Sequence, residues 1–128
     1  MMDKVVHFEI PFDDENRAQK FYKDIFGWQI NKFPEMDYFI VHTVETDPNT
    51  MVPKEPGAIN GGMLKRDPTG PNPVIVIDVN SVDDYLERIE KAGGKVVMPK
   101  FSIGKFGFYA RVADTEGNVI GLWQTIQS

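Results

Sequence analysis

A chain of 128 residues, 41% of them hydrophobic, is long enough for one domain with a real core and too apolar to be a disordered segment. Its formal charge of −5, from 14 basic and 19 acidic side chains mixed along the chain, argues against a nucleic-acid partner. No apolar run approaches the roughly 20 residues that cross a bilayer, residues 1–14 lack a signal peptide's apolar stretch, and the absence of cysteine removes disulfides, thiolate nucleophiles and cysteine-based zinc sites, so a soluble, cytoplasmic protein without membrane contact is expected.

Val5 to Phe12 alternates, is rich in β-formers and carries Pro11 only near its end, which predicts a strand. Asp13 and Asp14 can cap a helix whose inward positions are Ala18, Phe21, Tyr22 and Ile25, ended by Gly27. Trp28 to Phe33 and Tyr38 to Val44 read as a strand pair joined through Pro34-Glu35-Met36-Asp37. Thr46 to Pro56, with Pro48, Pro53 and Pro56 and no period, is a loop, and Gly57 to Lys65 is a glycine-weakened strand. The stretch Asp67-Pro68-Thr69-Gly70-Pro71-Asn72-Pro73 is a linker.

Beyond it, Val74 to Val79 is the near-continuous apolar run of a buried strand. Ser81 caps a helix with Val82, Tyr85, Leu86 and Ile89 inward, and Gly93-Gly94 stops it. Lys95 to Met98, Phe106 to Ala113 and Asn118 to Thr125 complete the strands, with a turn at Asp114-Thr115-Glu116-Gly117-Asn118. Each half therefore reads β-α-β-β-β, over residues 1–66 and 73–128. Sliding the chain so that Gly27 falls on Gly94 also lays Asp14 on Ser81 and Tyr22 on Ile89; the same shift lays Phe21 on Arg88 and His7 on Val74.

This order of elements, the segment from Ala18 to Trp28 ending in Phe-Tyr-x-x-x-Phe-Gly-Trp, the Gly93-Gly94 stop, and Asp114-x-Glu-Gly-Asn followed by Gly121-Leu122-Trp123 together resemble the vicinal oxygen chelate superfamily of glyoxalases, bleomycin-resistance proteins and dioxygenases, in a metal-ligand-poor branch related to lactoylglutathione lyase. The resemblance implies an α+β fold in which two βαβββ modules form curled mixed sheets around a cavity, one glyoxalase-like domain over residues 1–128, commonly a homodimer. It also implies, in the enzymes, a divalent metal held by one side chain from each of four strands. Carried over, those positions give His7 in the first strand, Val74 in the first strand of the second half and Gly121 in the last strand. The fourth falls between Gly57 and Leu64, where Asn60 is the only polar side chain. One imidazole and one amide cannot hold a catalytic divalent ion, which needs about three protein ligands or more, so neither metal nor cofactor is expected.

His7 and Glu9, two apart on a strand, point to one face with roughly 6.6 Å between them, and can serve as acid and base or as hydrogen-bonding anchors. Strand alternation puts Tyr109 on the face opposite Phe108, where with Trp123 it can line a site for a flat ligand. His42 and Asn60 complete the candidate ligand-binding set of His7, Glu9, His42, Asn60, Tyr109 and Trp123, with His7 and Glu9 as the catalytic candidates. The function expected is metal-free binding of a small hydrophobic or aromatic molecule by a glyoxalase/bleomycin-resistance-like protein. Whether it is an enzyme, such as a metal-independent lyase or isomerase, stays open; the alternative is a metal-dependent lyase or epimerase of the glyoxalase I type.

Overall fold

The computed structural model describes residues 2–34 and 36–126; Glu35, in the connection expected between the strand pair, lies outside them. Along these residues run β1 (Val5–Phe12), α1 (Glu15–Phe26), β2 (Gln29–Lys32), β3 (Phe39–His42), β4 (Asn60–Lys65), β5 (Val74–Asp78), α2 (Val82–Lys91), β6 (Lys95–Ile103), β7 (Gly107–Ala113) and β8 (Val119–Thr125). The fold class is α+β, and the order is βαβββ twice. Backbone proximity divides the chain into a unit of residues 7–73 and a unit of residues 1–6 with 74–128.

In the unit of residues 7–73 the strands lie in the order β2-β3-β4-β1, with β1 and β4 parallel and the other pairs antiparallel. Asp14 caps α1 by accepting from the Arg17 amide at 2.9 Å, and Gly27 ends it in the left-handed region at φ 71°. Buried Ile30, Val41 and Met63 pack with Phe8, Ile10, Phe12, Ala18, Tyr22, Trp28 and Phe39 on the face that carries the helix. One expectation fails here. Phe21 and Ile25, read as inward, are 54% and 63% exposed. Trp28 stacks on Tyr22 at 5.1 Å and lies against Phe8 at 5.6 Å. These rings fill the space beneath the helix, so Ala18 and Tyr22 meet the sheet and their neighbours on the wheel turn away.

In the other unit the order is β5-β8-β7-β6, again with one parallel pair, β5 and β8. Ser81 caps α2 by accepting from the Asp84 amide at 3.2 Å, and the Val82 amide donates to Gln124 at 2.8 Å. Beneath α2 lie Val79, Val82, Ala110, Val112 and Leu122, with Tyr85, Leu86, Ile89 and Phe108 packed against them. The opposite face carries a second cluster of Val74, Val76 and Tyr109 with Met98, Ile103, Val119 and Trp123. Strand β6 runs on to Ile103 rather than stopping at Met98. Pro99 cannot donate to the ladder, and the pairing with β7 absorbs it as a register shift between Met98 and Phe101. The N-terminal residues are tied to this unit: Lys4 accepts from the Asp78 amide at 3.0 Å, and the Tyr85 hydroxyl donates to the Asp3 carboxylate.

Candidate functional site

Side-chain alternation sets what each helix-free face displays. Phe8, Ile10 and Phe12 point toward α1, so His7, Glu9 and Pro11 point away from it. The β1–β4 register sets His7 opposite Asn60 and Glu9 opposite Gly62. The β3–β4 register sets Ile40 opposite Gly62, and β2–β3 sets Gln29 opposite His42. The helix-free face of this unit is therefore polar, with His7, Glu9, His42, Asn60 and Gln29 upon it.

Tyr38, just before β3, closes this face. The residue is 9% exposed, and its hydroxyl meets His7 Nε2 at 2.7 Å. Room for that ring comes from Gly62, where a Cβ would overlap the tyrosine hydroxyl and ring carbons. The hydroxyl donates to Nε2 when the imidazole carries its proton on Nδ1 and accepts in the other tautomer. Burial pushes the His7 pKa below its ordinary value of 6.5, and the nearby Glu9 charge opposes the shift in part. His7 is thus a neutral imidazole at pH 7, coupled to a phenol. Such a pair can accept or donate a proton, or anchor a ligand's polar group. Glu9 is 5% exposed.

The remaining candidates divide. Asn60 uses both ends of its amide locally: Oδ1 accepts from the Thr43 amide at 2.9 Å, and Nδ2 donates to the Thr46 hydroxyl at 2.8 Å. Its role there is to hold the start of β4 to the chain leaving β3. His42 Nε2 is buried and, among the described residues, has no hydrogen-bond partner. In the other unit Tyr109 and Trp123 are cross-strand partners on β7 and β8, on the face away from α2. The Tyr109 hydroxyl accepts from Arg111 Nε at 3.1 Å, and Trp123 donates to the Thr125 hydroxyl at 3.0 Å. Arg111 is only 2% exposed.

The two units repeat one device. In β3 and β4, Ile40 faces Gly62 and Tyr38 stands two residues earlier. In β7 and β8, Arg111 faces Gly121 and Tyr109 stands two residues earlier. A Cβ at Gly121 would lie 2.6 Å from the Tyr109 hydroxyl, so a tyrosine fills the missing side chain's space in both places. Glu9 faces Gly62 as Val76 faces Gly121, which makes Gly62 the counterpart in β4 of Gly121 in β8. The four strand positions that supply metal ligands in the enzymes of the superfamily thus hold His7, Gly62, Val74 and Gly121. Three of these have no donor atom in the side chain, both glycines are roofed by a phenol, and the imidazole nitrogen of His7 is taken by Tyr38. Among the described residues no group of three or more His, Cys, Asp or Glu side chains could hold a metal. The residues do not fit a divalent ion, and no chemistry is routed through one.

Tyr38 and Arg111 escaped the sequence reading. A charged residue inside the apolar run Phe108 to Ala113 was a readable signal for Arg111. Nothing local marks Tyr38, because its place depends on which strands pair and in what register.

The order βαβββ, run through twice, is the arrangement expected of a glyoxalase-like fold. Residues 4–43 match the family model of the bleomycin resistance protein-like N-terminal region. The chain is 32% identical over 117 residues to the curated Mycobacterium tuberculosis protein "Putative glyoxylase CFP32" and equally to its Mycobacterium bovis counterpart, an alignment that covers 87% of this chain and 41% of theirs. It thus spans well under half the length of these relatives. Among solved structures, a glyoxalase/bleomycin resistance protein/dioxygenase superfamily member from Vibrio splendidus matches with a TM-score of 0.63 at 15% identity, over 98% of this chain and 100% of that one. A variant of Streptomyces coelicolor methylmalonyl-CoA epimerase, in complex with 2-nitronate-propionyl-CoA, also matches with a TM-score of 0.63 at 15% identity, over 99% of this chain and 100% of that one. The chain shares the fold of glyoxalase/bleomycin resistance protein/dioxygenase superfamily structures and is similar in sequence to curated glyoxylase relatives.

No helix among the described residues is long and apolar enough to cross a membrane.

Proposed function

We propose that this protein binds a small, largely apolar or aromatic molecule without a metal ion, on the helix-free face of a module, and acts as a homodimer. The observation that carries the reading is the hydrogen bond of 2.7 Å between His7 and Tyr38 above Gly62. It places a neutral imidazole and a phenol where a metal-dependent relative needs a free ligand. His42 supports the same face. A buried ring nitrogen without a partner among the described residues is unfavourable by about 1 to 3 kcal/mol. Tyr109 and Trp123 give the second module's helix-free face a flat apolar surface of its own. Proton transfer through His7 and Tyr38 is chemistry this face can perform, and binding is the function it supports first.

The test is a thermal-shift screen of small aromatic and heterocyclic compounds against the chain in excess EDTA, repeated on His7→Ala and Tyr38→Phe. Compounds that stabilise the wild type in EDTA and lose their effect in either variant support the reading. Stabilisation that appears only after a divalent metal is added would refute it and favour the metal-dependent lyase or epimerase.

A further inference from the structure

Asp78 is a charged side chain to which the fold gives no task. It is the last residue of β5, and its neighbour Ile77 packs against the core beneath α2. Alternation therefore turns Asp78 to the helix-free face, where Val74 and Val76 lie with Tyr109 and Trp123. A carboxylate at the end of a strand commonly caps the next helix or meets a basic side chain, and Asp78 does neither. Helix α2 is capped by Ser81, and the Val82 amide is taken by Gln124. The main-chain amide of Asp78 donates to the Lys4 carbonyl at 3.0 Å. Its carboxylate is half-buried and, among the described residues, makes no hydrogen bond and no ion pair. A charge so placed beside apolar neighbours has lost water without gaining a partner, and a cation would compensate it.

We propose that Asp78 and Trp123 form the head of a binding site for a small organic cation, an ammonium group carried on a flat apolar body. The inference rests on the ligand-binding reading above and adds to it the charge of the ligand and the module that holds it. Strand register builds the site. Asp78 faces Trp123, Trp123 faces Tyr109, and Tyr109 faces Phe101, one row across four strands. The indole is laid over Gly107, where a Cβ would lie 2.7 Å from its ring, and its N–H donates to Thr125 at 3.0 Å. Its position is thus fixed before a ligand arrives. Phe101 meets Tyr109 edge-on at 5.9 Å and is 37% exposed. Charge selects the ligand, because a carboxylate and the face of an indole both attract a cation and both repel an anion. Neighbouring strands lie about 4.8 Å apart, so an ammonium bonded to Asp78 can also lie within the roughly 6 Å of the indole centroid at which cation–π attraction acts. From Asp78 to Phe101 the row crosses three such spacings, about 14 Å, with no second charge along it. That length suits a body of one or two fused rings.

The test compares three probes of one shape at neutral pH in EDTA: naphthylmethylamine, its uncharged counterpart naphthylmethanol, and the anion naphthoate. The readout is the Trp123 indole N–H resonance in NMR titrations of the full chain, assigned with Trp123→Phe. The amine is expected to shift that resonance saturably and to bind at least about tenfold more tightly than the alcohol, with naphthoate the weakest. Asp78→Asn should abolish the preference with an unchanged circular dichroism spectrum, and Asp78→Lys should transfer it to naphthoate. Equal affinities for amine and alcohol, or a preference that survives Asp78→Asn, overturn the cation site while sparing the ligand-binding reading. An indole resonance that none of the three probes moves overturns the site itself, and the thermal-shift screen of His7→Ala and Tyr38→Phe then judges the broader reading separately.

Discussion

Replacing Gly62 with alanine probes the arrangement on which the site depends. The three atoms nearest to a Cβ built there all belong to Tyr38, and all lie well inside the 3.0 Å that real Cβ atoms respect. Nothing in β4 can yield, because Gly62 is pinned between Glu9 of β1 and Ile40 of β3. The Tyr38 ring must therefore leave. Overpacking of this kind is unfavourable by about 1 to 3 kcal/mol, and the loss of the His7–Tyr38 hydrogen bond adds about 1 kcal/mol. A total near 3 kcal/mol follows, a large part of the usual 5 to 15 kcal/mol of domain stability. Urea unfolding at pH 7.5 measures it, in a double-mutant cycle with Tyr38→Ala. Tyr38→Ala is itself destabilising, but it removes the atoms that the new methyl group would strike. Gly62→Ala should then cost under about 1 kcal/mol in that background. An equal penalty with and without the tyrosine would show that Gly62 is needed for some reason other than housing the ring.

Because burial lowers the His7 pKa below 6.5, the unfolded chain takes up its proton first as pH falls; the contribution is intact above pH 6.5 and is lost as pH drops from there toward the folded value, at up to about 1.4 kcal/mol per pH unit. Urea unfolding between pH 7.5 and 5.5 should therefore show a slope that flattens in His7→Gln, and parallel curves for the two proteins would contradict the assignment. Gly121→Glu restores a ligand-type side chain in β8, yet Tyr109 occupies the space at 2.6 Å. Calorimetric titration with nickel should detect no new binding, and tight binding by this variant would show that the phenol is not the obstacle.

Both βαβββ modules were legible in the sequence because caps and stops are local. Asp14, Ser81, Gly27 and Gly93 announce their helices through side-chain acceptors and positive φ. Lying on one face, His7 and Glu9 followed from alternation alone, as did Tyr109 facing away from Phe108. What failed depended on tertiary context. The apolar spacing of α1 could not say that Trp28 would take the space beneath the helix and leave Phe21 and Ile25 outside. The extension of β6 past Pro99 needed a bulge that only the pairing with β7 reveals. Gly62 reads as a weak point in its strand, and Gly121 as a ligand position without a donor. Their role as seats for Tyr38 and Tyr109 is a matter of register, which a one-residue slip would abolish.

The claim that the site is organic rather than metallic is tested most directly by the metal content of untagged protein. Elemental analysis of the wild type and of His7→Ala, each purified without chelator, should find no stoichiometric divalent metal in either. About one zinc, nickel, iron or manganese ion per wild-type chain, absent from His7→Ala, would contradict it and favour a metal-dependent lyase or epimerase.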